Sequence, residues 1–395
     1  MGIFSRKPKE ELVAVFDIGS GSIGGALVLI PLKKNIDGNQ KSRILFTTRT
    51  PIIFHNDFKF NHFVKLMLEA FEITASNIEK AKLGAPQRAH LFLASPWYVS
   101  QTRIIKMKKN EPFVFNNRLA EELINQEIKS FEKLQLTKFL NTENKPKIIE
   151  KKNIKTTLNG YQMEKPFAKK AKELEITLFI SMSTENIINS LKNKTRKFFN
   201  IPINFSSFLL SSFIVTRDLF IDKNNFLLID ISGEITDVSV IKNDILLESI
   251  SFPLGRNFVI RGIMSGFNKN REESTSLLRM YNGAKLTEEI TKKIDKILEN
   301  SRKKWLKEFQ TSVVDISDNL IMPDTIFLTA DDDIIHWFKE NIEKEEFSQY
   351  TLTEKKFNII LLDNLPLSDY CSISEETSCD PFLIMESIST ARLVH

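Results

Sequence analysis

The sequence has few of the residues from which disulfide frameworks and metal sites are built. Its 395 residues include two cysteines, Cys371 and Cys379, and five scattered histidines. No HExxH pair and no Cys/His cluster occurs, so we expect neither a disulfide scaffold nor a structural zinc site. The low cysteine content favours a reducing, cytoplasmic location.

Long apolar runs are missing as well. No run approaches the roughly 20 residues that span a bilayer. The first twelve residues, MGIFSRKPKEEL, lack the hydrophobic region of a signal peptide. The net charge of +5 is too small to require a nucleic-acid partner, and lysine-rich stretches such as 145–155 are typical of a solvated surface. We therefore expect no transmembrane segment and no nucleic-acid binding.

Glycine is scarce, with 13 residues in the whole chain, so the cluster in VAVFDIGSGSIGGALVLI (13–30) is conspicuous. Gly19, Gly21 and Gly24 have the G-x-G-x-x-G spacing of a dinucleotide-binding turn. Such a turn needs a helix to begin there, because the helix N-terminus holds the pyrophosphate. Here the turn is followed by ALVLIPL, which is typical of a strand. The segment therefore predicts a strand–turn–strand hairpin and argues against a Rossmann fold.

The same hairpin occurs twice in the chain. One copy begins at Asp17 (DIGSGSIGGALV) and the other at Asp230 (DISGEITDVSVI), and each Asp ends an apolar strand. A third strand follows each copy, RILFTTRT in the first case and ILLESISFP in the second. A repeated three-strand unit predicts two related α/β domains that face each other across a cleft.

The two turns suggest a chemistry for that cleft. Small residues let backbone N–H groups approach phosphate oxygens, and one carboxylate from each turn can hold the water shell of a phosphate-bound Mg²⁺. Two hairpins that close on a triphosphate would couple the nucleotide to domain closure. Either hairpin alone is also explained as a structural β-turn. No residue can be assigned as a general base from the sequence, so no catalytic residue is predicted.

At these residues the sequence resembles the actin-like ATPase superfamily, and within it the branch of the FtsA and PilM proteins. DIGSGSI is similar to the first phosphate motif of that superfamily, and the segment 227–263 is similar to the second. EESTSLLRMYNGA (272–284) resembles the helix that flanks the nucleoside. The resemblance covers about 12–395. It implies an α/β fold of two related actin-like (ribonuclease H-like) domains around a central cleft, with a small α+β insertion in the first domain.

The resemblance also implies a set of site residues and a cofactor. ATP with Mg²⁺ would bind in the cleft, with Asp17 and Asp230 holding the metal through water. The nucleotide-binding residues implied are Asp17, Gly19, Ser20, Gly21, Ser22, Asp230, Ser232, Gly233, Thr236, Asp237 and Gly255.

A domain division follows from the same resemblance. The insertion is the part specific to the FtsA–PilM branch, where it contacts partner proteins or the next subunit. The expected pieces are the first domain in two parts (1–86 and 173–222), the insertion (87–172), the second domain (223–380, with a helical subdomain at about 265–325) and a terminal helix that packs on the first domain (381–395).

Several residues depart from the superfamily pattern. They stand at positions that contact the nucleotide in that superfamily. The residues that replace its usual lysine, glycine, threonine and glutamate positions are Gly24, Ser232, Arg256, Ile260, Thr275 and Leu278. Asp331–Asp333 replace a run of glycines, and two like charges about 5 Å apart cost roughly 3 kcal/mol at an effective dielectric constant of about 20. The three aspartates are alternatively explained as the N-cap of a helix over IIHWFKENI.

Two functions remain open from the sequence. The first is a scaffold that recruits or assembles protein partners through 87–172 at the inner face of the plasma membrane, in cell division or type IV pilus assembly, with weak or absent ATP hydrolysis. Its membrane contact would be made only through a partner. The alternative is an ATP-binding switch or filament, in which the protein associates with itself. Whether the protein is an enzyme stays open.

Overall fold

The computed structural model describes residues 10–32, 41–53, 60–138, 145–317, 322–345, 356–375 and 377–393. Its strands are β1 (Glu10–Ile18), β2 (Ser22–Pro31), β3 (Ser42–Pro51), β4 (Arg88–Leu93), β5 (Val99–Val114), β6 (Pro146–Leu158), β7 (Tyr161–Gln162), β8 (Lys170–Thr184), β9 (Ile203–Ser207), β10 (Phe226–Ile231), β11 (Thr236–Lys242), β12 (Ile245–Phe252), β13 (Thr325–Ala330), β14 (Asn358–Leu361) and β15 (Cys371–Ile373). Its helices are α1 (Phe60–Lys80), α2 (Asn117–Lys138), α3 (Glu185–Phe198), α4 (Phe208–Leu219), α5 (Arg256–Phe267), α6 (Arg271–Asn282), α7 (Glu288–Ser317), α8 (Ile335–Lys344), α9 (Asn364–Leu367) and α10 (Pro381–Leu393).

The sheet of the first domain has the strand order β15-β3-β2-β1-β4-β9. The strands β1, β2 and β3 are antiparallel, whereas β4 and β9 run parallel to β1. Strand β1 reads as a continuous apolar run because both of its faces are covered. Phe16 packs in the core with α1 and α3, while its neighbour Val15 packs on the opposite face with α4 and α10.

The second domain repeats this arrangement, with the strand order β12-β11-β10-β13-β14. Again three antiparallel strands are followed by parallel ones. Ile229 of β10 faces the core formed with α5, α7 and α8, and Leu228 faces α4 and α10. The helices α4 and α10 therefore share one core with both sheets. The predicted fold class, two related actin-like domains around a cleft, is confirmed.

The long helix α7 packs on the second domain as the sequence indicates. Its apolar stripe lies in that domain's core, with Ile294 and Leu298 buried and Ile290 and Ile297 partly buried. None of the helices in the described parts of the chain is long and apolar enough to cross a membrane.

The inserted domain is a four-stranded sheet, β5-β8-β6-β7, covered by α2. Its extent differs from the predicted range 87–172. Strand β4, at the start of that range, is almost wholly buried and pairs with β1 and β9 in the first domain. Strand β8 runs past the end of that range to Thr184, because it pairs along its length with both β5 and β6. The inserted sheet thus spans Val99 to Thr184.

The imidazole of His90 on β4 is buried beneath α10. It lies 3.0 Å from Ser206 Oγ and stacks on Phe92 with ring centroids 4.2 Å apart. Burial, together with the charge of Arg88, lowers the pKa of His90 to about 3. The side chain therefore stays neutral in the folded protein at pH values where an unfolded histidine is protonated.

We predict that His90 makes the protein less stable as the pH falls. A histidine whose folded pKa is lowered contributes stability above its unfolded pKa of about 6.5, and this is lost as the pH falls from 6.5 towards 3. The free energy of unfolding should lose about 2 kcal/mol more in wild type than in His90→Gln between pH 7 and pH 4.5. Urea unfolding of both proteins at the two pH values measures this difference. The contributions of the other titrating groups are the same in both proteins and cancel. Parallel pH profiles would contradict it.

Candidate functional site in the interdomain cleft

The two acidic turns line one cavity between the domains. Asp17 and Asp230 are each the second-last residue of the first strand of their sheet, and each faces the matching position of the second strand. The cavity has a volume of about 1260 Å³. Its lining includes these predicted site residues: Asp17, Gly19, Ser20, Gly21, Ser22, Asp230, Ser232 and Gly233.

Three predicted site residues lie outside that lining. Thr236 Oγ1 donates to Leu254 O over 2.7 Å and accepts from Trp305 Nε1 over 3.1 Å. Asp237 accepts hydrogen bonds from the Ser95 and Ser251 hydroxyls, and burial raises its pKa to about 6. Gly255 packs on the second turn, where a Cβ would lie 2.6 Å from Gly233 O. In this structure these residues hold the second hairpin in place.

The two turns touch each other directly. Ser20 Oγ lies 2.8 Å from Ser232 Oγ and also accepts the backbone N–H of Glu234 over 2.9 Å. A Cβ on Gly21 would lie 2.6 Å from Gly233 Cα, and a Cβ on Gly233 would in turn collide with Gly21. At this point of contact the two turns leave no space between them for a ligand.

A polar network from the second domain holds this contact. Asn257 Nδ2 donates to Glu234 Oε1 over 2.8 Å, and its Oδ1 accepts from Arg271 over 2.8 Å. Arg271 also donates to Ile52 O of the first domain over 3.0 Å and so crosses the cleft. Arg261 forms an ion pair with Glu234. No local sequence pattern indicates these residues, because they come together only when α5 and α6 pack beside the turns.

Arg49 of β3 is the main partner of Asp17. Its Nη2 lies 2.8 Å from Asp17 Oδ2, its Nε lies 2.7 Å from Asp380 Oδ2, and its Nη1 donates to Ser22 Oγ over 2.9 Å. Burial raises the pKa of Asp17 to about 6 even though Arg49 opposes that shift. Sequence reasoning missed Arg49. The only available signal was Gly24, which faces Arg49 across the β2–β3 ladder and leaves room for its guanidinium.

Asp230 has a different environment from Asp17, its counterpart in the first domain. Its Oδ1 is buried and has no hydrogen-bond partner among the described residues. Burial raises its pKa well above the usual value, and the charges of Asp237, Asp17 and Asp331 raise it further. The folded protein therefore favours the neutral form of the Asp230 carboxyl more than an unfolded chain does. The neighbouring Glu386 on α10 is fully buried, and burial likewise raises its pKa well above the ordinary range.

The acidic run Asp331–Asp333 pairs with Arg256. Asp333 forms a two-point ion pair with Arg256, at 2.8 Å and 2.6 Å, and Asp331 lies 3.2 Å from its Nε. The alternative prediction, that the aspartates form the N-cap of the following helix, is wrong. The helix α8 begins at Ile335, and its N-cap residue Ile334 makes no side-chain capping bond. Arg256 and the acidic run both depart from the superfamily pattern, and here they form one ion-pair cluster.

The residues present do not fit a magnesium nucleotide. The two turns contact each other, Asp17 is bound to Arg49, and burial raises the pKa of Asp230 well above its usual value. No group of three or more His, Cys, Asp or Glu side chains arranged to hold a metal ion occurs in the described residues. ATP and Mg²⁺ binding thus remains an untested prediction, against which this geometry argues.

In its overall structure the chain is similar to the solved PilM–PilN type IV pilus biogenesis complex, with a TM-score of 0.60 and 11% identity. The match covers 98% of this chain and 100% of that one. The chain has the actin-like fold. EutJ from Carboxydothermus hydrogenoformans (TM-score 0.42, 9% identity, 97% and 90% covered) and ParM with ADP from Bacillus thuringiensis (0.41, 11%, 97% and 99%) are also similar. No protein-family model and no curated protein matches the sequence.

We predict that methyl groups on the touching glycines force the turns apart. Gly21→Ala and Gly233→Ala should each lower the free energy of unfolding by about 1–3 kcal/mol, as expected for overpacking. Denaturant unfolding measures the loss. Gly283→Ala is the control, because a Cβ there meets no atom nearer than 3.4 Å and needs no positive φ. Equal stability of Gly21→Ala, Gly233→Ala and the control would contradict the contact.

Proposed function

We propose that this protein is an actin-fold scaffold of the PilM type. It would recruit a partner protein at the inner face of the plasma membrane, in type IV pilus assembly or in cell division, with little or no ATP hydrolysis. The observation that carries the proposal is a groove between the inserted domain and the second domain. The similarity to a structure that is itself a two-protein complex supports it.

The groove combines apolar walls with polar side chains. Its volume is about 810 Å³, and its walls come from β5, α2 and β12. Its apolar lining residues include Val99, Phe131, Leu134, Leu246 and Leu247. Between them lie polar side chains, among them Gln101, Thr102 and Ser249, which can orient a ligand.

The strands beside the groove are both sheet edges. Strand β5 has a single neighbour, β8, and β12 has a single neighbour, β11, within the described residues. An edge strand presents unpaired N–H and C=O groups, to which an extended peptide can add as a further strand. We therefore propose that the occupant is an extended segment of the partner, such as the cytoplasmic tail of a membrane protein.

We predict that a charge at the groove weakens partner binding. Leu134 is 42% exposed at the groove, so Leu134→Glu adds a charge to an apolar wall. Calorimetry with synthetic tails of membrane proteins encoded beside this gene should show micromolar binding to wild type and at least a tenfold loss in Leu134→Glu, equivalent to about 1.4 kcal/mol.

Tyr161→Ser is the matched control for this experiment. Tyr161 lies on β7 of the same inserted domain, is 76% exposed and does not line the groove. The variant removes an exposed aromatic side chain and should bind like wild type. Equal loss in both variants, or no loss in Leu134→Glu, would contradict the placement of the site.

One observation favours the alternative of an ATP-driven switch or filament. Both acidic turns are present at matching positions of matching sheets, with Asp17 and Asp230 each the second-last residue of its strand. Sedimentation with and without Mg-ATP separates the two functions. We expect no ATP-dependent pelleting of wild type. Pelleting that is lost in Asp230→Ala would favour the switch and overturn the scaffold proposal.

A further inference from the structure

The guanidinium of Arg49 fills an acidic pocket at the base of the cleft. It donates to Asp17, to both carboxylate oxygens of Asp380 and to the Ser22 hydroxyl, over 2.7–3.0 Å. Its side chain is 24% exposed, and those of Asp17 and Asp380 are 4% and 12% exposed. One partly buried cation thus pairs with two carboxylates, and pairing is the condition under which charges are tolerated away from water.

The backbone on both sides is shaped to receive this cation. Gly24 faces Arg49 in the β2–β3 ladder, and a Cβ at Gly24 would lie 2.7 Å from the arginine Nη2. On the other side the ring of Phe382 lies 5.5 Å from the guanidinium carbon, a distance typical of a cation–π contact. Arg49 is thus held from three directions, by carboxylates, by backbone and by an aromatic ring.

The second carboxylate is fixed to the same strand. Thr377 Oγ1 donates to Leu45 O over 3.0 Å, and Thr47 Oγ1 donates to Ser378 O over 2.9 Å, so the segment before α10 runs along β3. Asp380 at its end also accepts the backbone N–H of Leu383 over 3.2 Å and so caps α10. Through Asp380 the arginine links β1 and β3 to the helix that lies between the two domains.

We infer that Arg49 is a built-in cation that takes the place of a divalent metal beside Asp17, so that the cleft closes without a magnesium nucleotide. The direct contact between Ser20 and Ser232 is the closed state that this arrangement permits. The inference concerns the cleft alone and does not depend on the partner groove.

The first test uses the wild-type protein with Mg²⁺, Mg-ATP and Mg-ADP. We expect the melting temperature to shift by less than about 1 °C at millimolar ligand, because a ligand that does not bind the folded state cannot stabilise it. Calorimetry should detect no binding up to about 1 mM. Micromolar Mg-ATP binding to wild type would overturn the inference.

The second test removes the cation. Arg49→Ala leaves Asp17 and Asp380 without their counter-ion, so its melting temperature should fall. Addition of Mn²⁺ or Mg²⁺ should then raise it by several degrees, whereas wild type and Arg118→Ala should not respond. Arg118 is the control because its side chain is 88% exposed and forms only a surface ion pair. An Arg49→Ala variant as stable as wild type, or one that ignores both metals, would overturn the inference.

A charge-free variant decides the matter if Arg49→Ala does not fold. Arg49→Met combined with Asp17→Asn and Asp380→Asn removes the cation and both carboxylates at similar volume. Recovery of a folded protein that does not respond to metal would support a role for Arg49 in neutralising charge. Failure of this variant to fold would show that the arginine is needed for its shape and would contradict the inference.

Discussion

The backbone contact between Gly21 and Gly233 is the constraint on which the rest of the cleft depends. Two turns approach this closely only where neither residue has a Cβ. The contact brings the hydroxyls of Ser20 and Ser232 into hydrogen-bonding range and sets the width of the cleft. With the turns in contact, the carboxylates of Asp17 and Asp230 behind them lie close to other charged groups of this chain. Each must be balanced by groups of this chain.

The charges of the cleft are balanced in two different ways. Asp17 and Asp333 are paired with arginines, Arg49 and Arg256, in buried or partly buried ion pairs. Among the described residues no arginine forms an ion pair with Asp230 or Glu386, and burial raises the pKa of both carboxyls well above the ordinary range. Breaking a buried pair leaves an uncompensated charge, which costs more than the pair itself contributes. The arginines are therefore as much a part of the closed cleft as the turns.

The parts of the fold that could be predicted from the sequence are those set by local patterns. Apolar strands that end at Asp17 and Asp230 indicate the two hairpins, because strand period and turn residues are read within a few positions. The pairs Asp17–Arg49 and Arg256–Asp333 join residues far apart in the chain, and no local pattern encodes them. The capping interpretation of Asp331–Asp333 was wrong for this reason. It considered only the next helix in the sequence, whereas the aspartates pair with Arg256, which lies far away along the chain.

Asp237 connects the closed cleft to the partner groove. The resemblance assigned it to the nucleotide, yet its carboxylate accepts hydrogen bonds from two residues that line the groove, Ser95 just before β5 and Ser251 on β12. Asp237 itself pairs with Asp230 in the second hairpin. A cleft that is fixed by its own residues therefore also fixes the spacing of the groove walls. Because the walls of a preformed groove need not be ordered when a ligand binds, less binding free energy is lost. A short peptide tail can therefore bind it more tightly than it would bind a flexible groove.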